Sequence, residues 1–387
     1  MSAIQVKQPA FFDAEELSVL ETMVGRFIDR HATPADVQRW RDQGSVDRDL
    51  WLKAGEAGLL GVSIPAAYGG GGGDFRHEAV LMEQLGLRGV QGFALPLHNA
   101  VVAPYIASYG SEAQKQKWLP GVVSGETVLA IAMTEPGAGS DLQAMKTYAR
   151  REGGEYVING QKTFITNGLH ASLVIVACKT SRDEGAKGIS LIVVETDKVQ
   201  GFERGRLLHK LGQEGRDTTE LFFNEMRVPA ENLLGDEEGR GFAQLMEKLP
   251  QERMVIAWQC MAQMEYALEV TIDYVKQRKA FGKRIVDFQN SQFKLAECKT
   301  KATIAKVFLH HCTERLLAGE LDTSTASMAK YWISETCCTV IDECLQLHGG
   351  YGYMLEYPIA QMYKDARVNR IYGGANEIMK LLIARSL

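Results

Sequence analysis

The residue types in this chain best suited to holding a ligand gather in two short segments of its middle third. The first, Ala132-Met133-Thr134-Glu135-Pro136-Gly137-Ala138-Gly139-Ser140-Asp141-Leu142, runs from a Glu-Pro turn into closely spaced glycines. Small residues let backbone N–H groups approach an anion, and the Ser140 hydroxyl adds a donor. In the second, residues 160–168, the strand-like run Thr163-Phe164-Ile165-Thr166 is closed by an Asn167-Gly168 turn. Taken alone, the Pro136–Ser140 loop is a weak phosphate signal and reads more readily as an ordinary surface turn. The five glycines at 69–73 lack the Gly-Lys-Ser/Thr of a nucleotide P-loop and read as a flexible turn between helices.

Three more segments carry usable chemistry. Arg278-Lys279-Ala280-Phe281-Gly282-Lys283, with Gln289 beyond it, and Gln346-Leu347-His348-Gly349-Gly350 combine a phosphate-pairing guanidinium with glycines that permit close backbone approach. The same residues also read as a solvated helix-end cation and a helix C-cap. In Leu249-Pro250-Gln251-Glu252-Arg253, Pro250 removes a helical hydrogen bond to Met246 and should kink or restart the helix before the Glu252 carboxylate. His310-His311-Cys312 points its side chains apart on a helix, so core or surface histidines are expected there and no metal site.

The positioning elements fall in blocks. Residues 13–124 show helical spacing, with Leu17, Leu20, Val24, Phe27 and Ile28 on one face and Val80, Leu81, Leu85 and Leu87 on another. Short β-branched or aromatic runs at 127–133, 155–158, 163–166, 173–177, 188–194 and 220–223 predict a compact antiparallel β domain. Helices return at 246–278, 288–317, 324–349 and 376–385. The expectation is an α+β chain: an N-terminal helical domain (1–125), a central antiparallel β domain (126–236) and a C-terminal four-helix bundle (237–387). A net charge of −5 gives no support to nucleic-acid binding, and no apolar run reaches membrane-spanning length. Seven cysteines without a CxxC pair, and an N-terminus without signal or transit character, point to reduced thiols in a cytoplasmic protein.

Taken together and in this order, the segments resemble those of the acyl-CoA dehydrogenases, most closely the long-chain branch, over nearly the whole chain. The resemblance implies FAD as cofactor, an acyl-CoA substrate, an electron-transfer flavoprotein as acceptor and a homotetramer sharing cofactor sites. It assigns Met133, Thr134, Gly139 and Ser140 to the flavin, with Thr134 at the isoalloxazine edge and Ser140 also serving the thioester. Phe164, where the family usually has Trp, would lie against the ring beside Ile165, with the Thr166 hydroxyl at N5. Arg278, Phe281, Gln289, Gln346, Gly349 and Gly350 would grip the ADP half of a neighbour's FAD, and Asn376 and Glu377 would also contact cofactor.

One departure matters. Many members carry the catalytic base in an Ile-Tyr-Glu-Gly motif, whereas this chain reads Ile371-Tyr372-Gly373-Gly374. The long-chain branch places its base on the first bundle helix instead, which makes Glu252 the expected base. Gln251, Arg253 and Gly374 are the expected substrate contacts, and the Gly373 backbone N–H is the expected donor to the thioester oxygen. The missing side chain at Gly373 should also widen the cavity near the α carbon. The implied reaction is α,β-dehydrogenation of a medium- or long-chain acyl-CoA. Branched or isoprenoid thioesters are the main rival, and an oxidase, monooxygenase or carrier-protein relative is a more distant one.

Overall fold

In the computed structural model, which describes residues 3–387, the helix and strand blocks follow the sequence pattern. Six helices come first: α1 Glu15–His31, α2 Pro34–Gln43, α3 Arg48–Glu56, α4 Phe75–Leu87, α5 Ala103–Tyr109 and α6 Glu112–Ser124. The apolar stripe of α1 (Leu17, Leu20, Val24, Phe27, Ile28) is buried, as are Val80, Leu81 and Leu85 of α4. A π-helical turn, Leu97–Val102, leads into α5. The glycine run is held, not loose: Gly71, Gly72 and Gly73 donate backbone hydrogen bonds to Gly61, Ile64 and Val62. A Cβ on Gly70 would lie 2.2 Å from the Ile64 carbonyl oxygen, so close chain approach is what requires glycine there.

The middle of the chain forms one seven-stranded sheet: β1 Leu129–Ala132, β2 Tyr148–Glu152, β3 Glu155–Thr166, β4 Leu173–Lys179, β5 Ile189–Glu195, β6 Phe202–Leu207 and β7 Thr218–Pro229. It is mixed rather than purely antiparallel. β1 runs parallel to β4 with Leu129 opposite Leu173, and β2 makes a single parallel bridge to β4, while the other pairings are antiparallel. The buried, unbroken run of β4 fits a strand covered on both faces. β3 unites two of the expected short runs. Gly160, at φ +150°, sits against Thr147 and interrupts the apolar pattern without ending the strand.

The C-terminal part contains α7 Gly241–Gln277, α8 Gln289–Leu317, α9 Thr323–His348, α10 Pro358–Ala366 and α11 Asn376–Ala384, with a hairpin, β8 Lys279–Ala280 and β9 Lys283–Arg284, between α7 and α8. α7 continues through Pro250 instead of restarting there. It packs against α4, α8 and α9, and residues 252–258 are all buried. A helix enclosed on all sides places even its polar residues out of water. On α8, His310 is likewise a buried core residue, with its ring near those of Phe12 and Trp258.

Candidate active site

Glu252 projects from α7 into this dry interior. Its carboxylate accepts a 2.7 Å hydrogen bond from the Tyr105 hydroxyl of α5. Burial pushes the Glu252 carboxyl up to about 7, opposed by the Tyr105 hydrogen bond and the charges of Arg253 and Lys248. A carboxyl in that range exchanges a proton readily near neutral pH. Burial and the neighbouring carboxylate keep the Tyr105 hydroxyl protonated well above its ordinary range, so it remains a donor. The flanking residues turn elsewhere. The Gln251 amide donates to the Ala100 carbonyl in the π-helical turn at 2.8 Å, and Arg253 reaches Thr323 O and Ser327 Oγ on α9.

The two glycine-flanked segments of the β domain meet side by side. Thr163 N donates to Thr134 O at 2.9 Å. Buried Lys162 donates to Met133 O at 2.9 Å and pairs with buried Glu135 at 2.8 Å. The Glu135 carboxylate also accepts the backbone N–H groups of Lys146 and Thr147. This pair, unremarked in the sequence reading, ties the turn after β1 to β3. A register irregularity between Lys162 and Ile165 in the β3–β7 ladder presents Phe164, which is 67% exposed with φ at +61°. A bulky residue costs about 1–3 kcal/mol in such a conformation and commonly marks a ligand clamp. Ile165 is buried beneath it and Thr166 is half-buried. Gly139 and Ser140 are exposed, and a Cβ on Gly137 or Gly139 would meet nothing. An open wall with an outstanding aromatic ring fits a flat cofactor.

Gly373 and Gly374, between α10 and α11, have φ of +62° and +91°. The space expected beside Gly373 is filled. A Cβ there would lie 2.2 Å from Ile256 Cδ1, one turn along α7 from Glu252, so the absent side chain is replaced by Ile256 and not by cavity. Asn376 is buried, its amide bonded to Ser334 and Glu335 on α9, while Glu377 is exposed at the start of α11.

At the far end of α7, Arg278, Gln346, Gly349 and Gly350 line one cleft of about 570 Å³ with Tyr274, His348 and Tyr351. Arg278 lies over the Tyr351 ring, 5.2 Å from its centre, and a Cβ on Gly349 or Gly350 would meet open space. A cation beside unobstructed backbone suits a phosphate. Gln289, exposed at the first position of α8, stands outside this lining, as does Phe281. Phe281 occupies the tip of the β8–β9 hairpin, 95% exposed with φ +52°.

Sequence reasoning missed Tyr105, which lies in an apolar stretch 147 residues from its partner. It also missed Lys162 in β3 and Glu135 in the turn after β1, whose burial no local sequence pattern marks.

Family models for the acyl-CoA dehydrogenase N-terminal, middle and C-terminal domains match residues 14–126, 130–226 and 239–387. The chain is 48% identical to the mitochondrial long-chain specific acyl-CoA dehydrogenase of Mus musculus over 376 residues, 97% of this chain and 87% of that one. It is 34% identical to the caffeyl-CoA reductase-Etf complex subunit CarC of Acetobacterium woodii, covering 97% of this chain and 98% of that one. The crystal structure of acyl-CoA dehydrogenase from Geobacillus kaustophilus superposes with a TM-score of 0.94 at 48% identity, covering 96% and 98% of the two chains. With three domain models in register over almost its whole length, this chain belongs to the acyl-CoA dehydrogenase family, FAD-dependent oxidoreductases that act on CH–CH groups.

Proposed function

We propose that the chain converts a medium- or long-chain acyl-CoA to its trans-2-enoyl thioester in fatty-acid β-oxidation, with Glu252 as the base. The observation that carries this reading is a buried carboxyl held near neutrality beside Tyr105, in a chain with glycine at 373. The α C–H of a thioester is weakly acidic, so its removal needs a desolvated base and a donor at the oxygen where enolate charge develops. Glu252 takes the α proton onto its carboxylate, and the Gly373 backbone N–H donates to the thioester oxygen. FAD, when bound, supplies the acceptor for the β hydrogen, taken as hydride at N5. Thr134, Phe164 and Thr166 line its ring, and Ser140 serves cofactor and substrate.

Arg278, Phe281, Gln346, Gly349 and Gly350 hold the ADP half of a neighbouring subunit's cofactor in a homotetramer. Helix geometry supports this: Arg278 lies 26 positions beyond Glu252, about 39 Å along α7 at 1.5 Å per residue, too far for one dinucleotide to serve both. Likeness to the Mus musculus long-chain enzyme supports the chain length, and likeness to an Etf-complex subunit supports an electron-transfer flavoprotein as acceptor. Seven free cysteines suit a reducing compartment, the cytoplasm in our reading, and among the described residues no helix is long and apolar enough to cross a membrane.

The test mixes the yellow holoprotein anaerobically with a panel of saturated acyl-CoAs and follows the visible flavin band, with Glu252→Gln alongside. Wild type should bleach fastest with medium or long straight chains, and the variant should bleach ~10²–10⁴-fold more slowly while retaining flavin. Undiminished bleaching by the variant overturns Glu252 as the base, and a clear preference for short or branched chains overturns the substrate assignment.

A further inference from the structure

Two consecutive glycines carry the backbone donor assigned above, and glycine has the weakest conformational preference of any residue. Something outside the loop must therefore fix where the Gly373 N–H points. Tyr372 holds the entry, its N–H bonded to Val368 O at 3.2 Å and its hydroxyl to Asn369 Oδ1 at 2.6 Å. The exit is held by a residue that nothing in the sequence singled out. Lys330, fully buried on α9, donates from Nζ to Gly374 O at 2.7 Å and to Asn376 Oδ1 at 2.9 Å. The Asn376 amide in turn donates to Ser334 Oγ and Glu335 Oε1, both at 3.0 Å, so the clamp is braced on the same helix.

Among the described residues Lys330 forms no ion pair, and burial lowers its ammonium to about 8, opposed by the charges of Glu377 and Glu335 beyond contact distance. A lysine head buried without a directly paired carboxylate costs stability, which an apolar residue of similar size would avoid. The two acceptors it reaches both belong to the segment that ends the glycine pair.

We propose that Lys330 is a positioning residue for the reaction: it pins the Gly374 carbonyl and thereby fixes the Gly373 N–H that receives the enolate oxygen. This rests on the reading of Gly373 given above. Lys330 is fully buried with its Nζ directed at the loop, so its loss should weaken binding of the charged, enolate-like state and spare uncharged ligands. Misplacing one backbone donor costs ~10- to 100-fold, somewhat less than removing it.

The test uses the holoenzyme with a 3-thia-acyl-CoA, whose α C–H is acidic and whose β position carries no hydrogen to transfer. A CoA thioether without the carbonyl serves as the uncharged control. In Lys330→Met, the bound 3-thia ligand should ionise ~10- to 100-fold less favourably in an absorbance pH titration, with thioether affinity within about twofold of wild type. Hydrogen exchange in the peptide spanning 371–378 should also speed up. Lys330→Gln, which keeps a donor at shorter reach, should fall between the two, and it carries the same test if Lys330→Met does not fold. Equal ionisation in variant and wild type overturns the proposal. So does an equal loss for both ligands, which marks a merely structural lysine. A wild-type holoenzyme that fails to ionise the 3-thia ligand overturns the base-and-donor reading itself, and this inference with it.

Discussion

The two ends of α7 are finished to different degrees. Near its start, Glu252 is enclosed and its carboxylate already bonded to Tyr105, while the β-domain segments are locked by the Lys162–Glu135 pair. Just beyond its end, Arg278, Gly349 and Gly350 face an open cleft, and Phe281 stands almost wholly in solvent on a hairpin tip. An exposed aromatic held at positive φ is a poor choice for a free surface and a good one for a face that another molecule covers. In the function proposed above, the proton-handling end is completed within one chain, whereas the phosphate-handling end is left open for a partner to fill.

That contrast is most severely tested by Lys162→Met. Removing one member of a buried ion pair strands the other charge, and the expected cost is about 3–5 kcal/mol. Equilibrium denaturation of the variant should show it, with faster hydrogen exchange in the segment 133–147. A change below about 1 kcal/mol would mean that the ring-facing segments are held by something other than this pair.

At the open end the same kind of substitution should behave in the opposite way. Arg278→Ala removes an exposed cation that no carboxylate engages among the described residues, so stability should change by no more than about 0.5 kcal/mol. Flavin retention should fall ~10- to 100-fold, the worth of a charge-assisted phosphate contact. Flavin content after gel filtration, beside a melting curve, separates the two effects. A variant that loses stability but keeps its flavin would reverse the comparison.

The degree of completion also governs what was legible in the sequence. Helices with one buried stripe, such as α1, announce themselves by period, and the long helices α7, α8 and α9 are bounded to within a few residues apart from the start of α7. The half-exposed strands β2 and β6 lack a continuous apolar run, and β6 pairs on one side only, so neither stood out. The parallel pairing of β1 with β4 depends on contacts between residues 44 positions apart, which no local pattern encodes. Glycine-marked segments were readable because close backbone approach restricts residue type. Tyr105 and Lys330 were not readable, since a tyrosine in a short apolar helix and a lysine on a long one look ordinary until the fold brings their partners to them.

The smallest expected effect sharpens the closed end of the comparison. Tyr105→Phe removes one hydroxyl and leaves the ring that packs against its neighbours. The hydrogen bond it breaks favours the ionised form of Glu252, so its loss must raise a carboxyl already at about 7. A base works only when ionised, so kcat/KM rises with pH through that value, and in the variant the rise should move to higher pH. A hydrogen bond to a charged group is worth about 1.5–3 kcal/mol in a protein, and partial replacement by water should leave a displacement of about one pH unit. Near pH 6.5 the variant should therefore be roughly tenfold slower, and above pH 9 the two profiles should converge. General damage to the site would instead lower the plateau at every pH. Superimposable profiles would mean that Tyr105 fills space beside Glu252 without setting its proton affinity, and that the closed end owes its chemistry to burial alone.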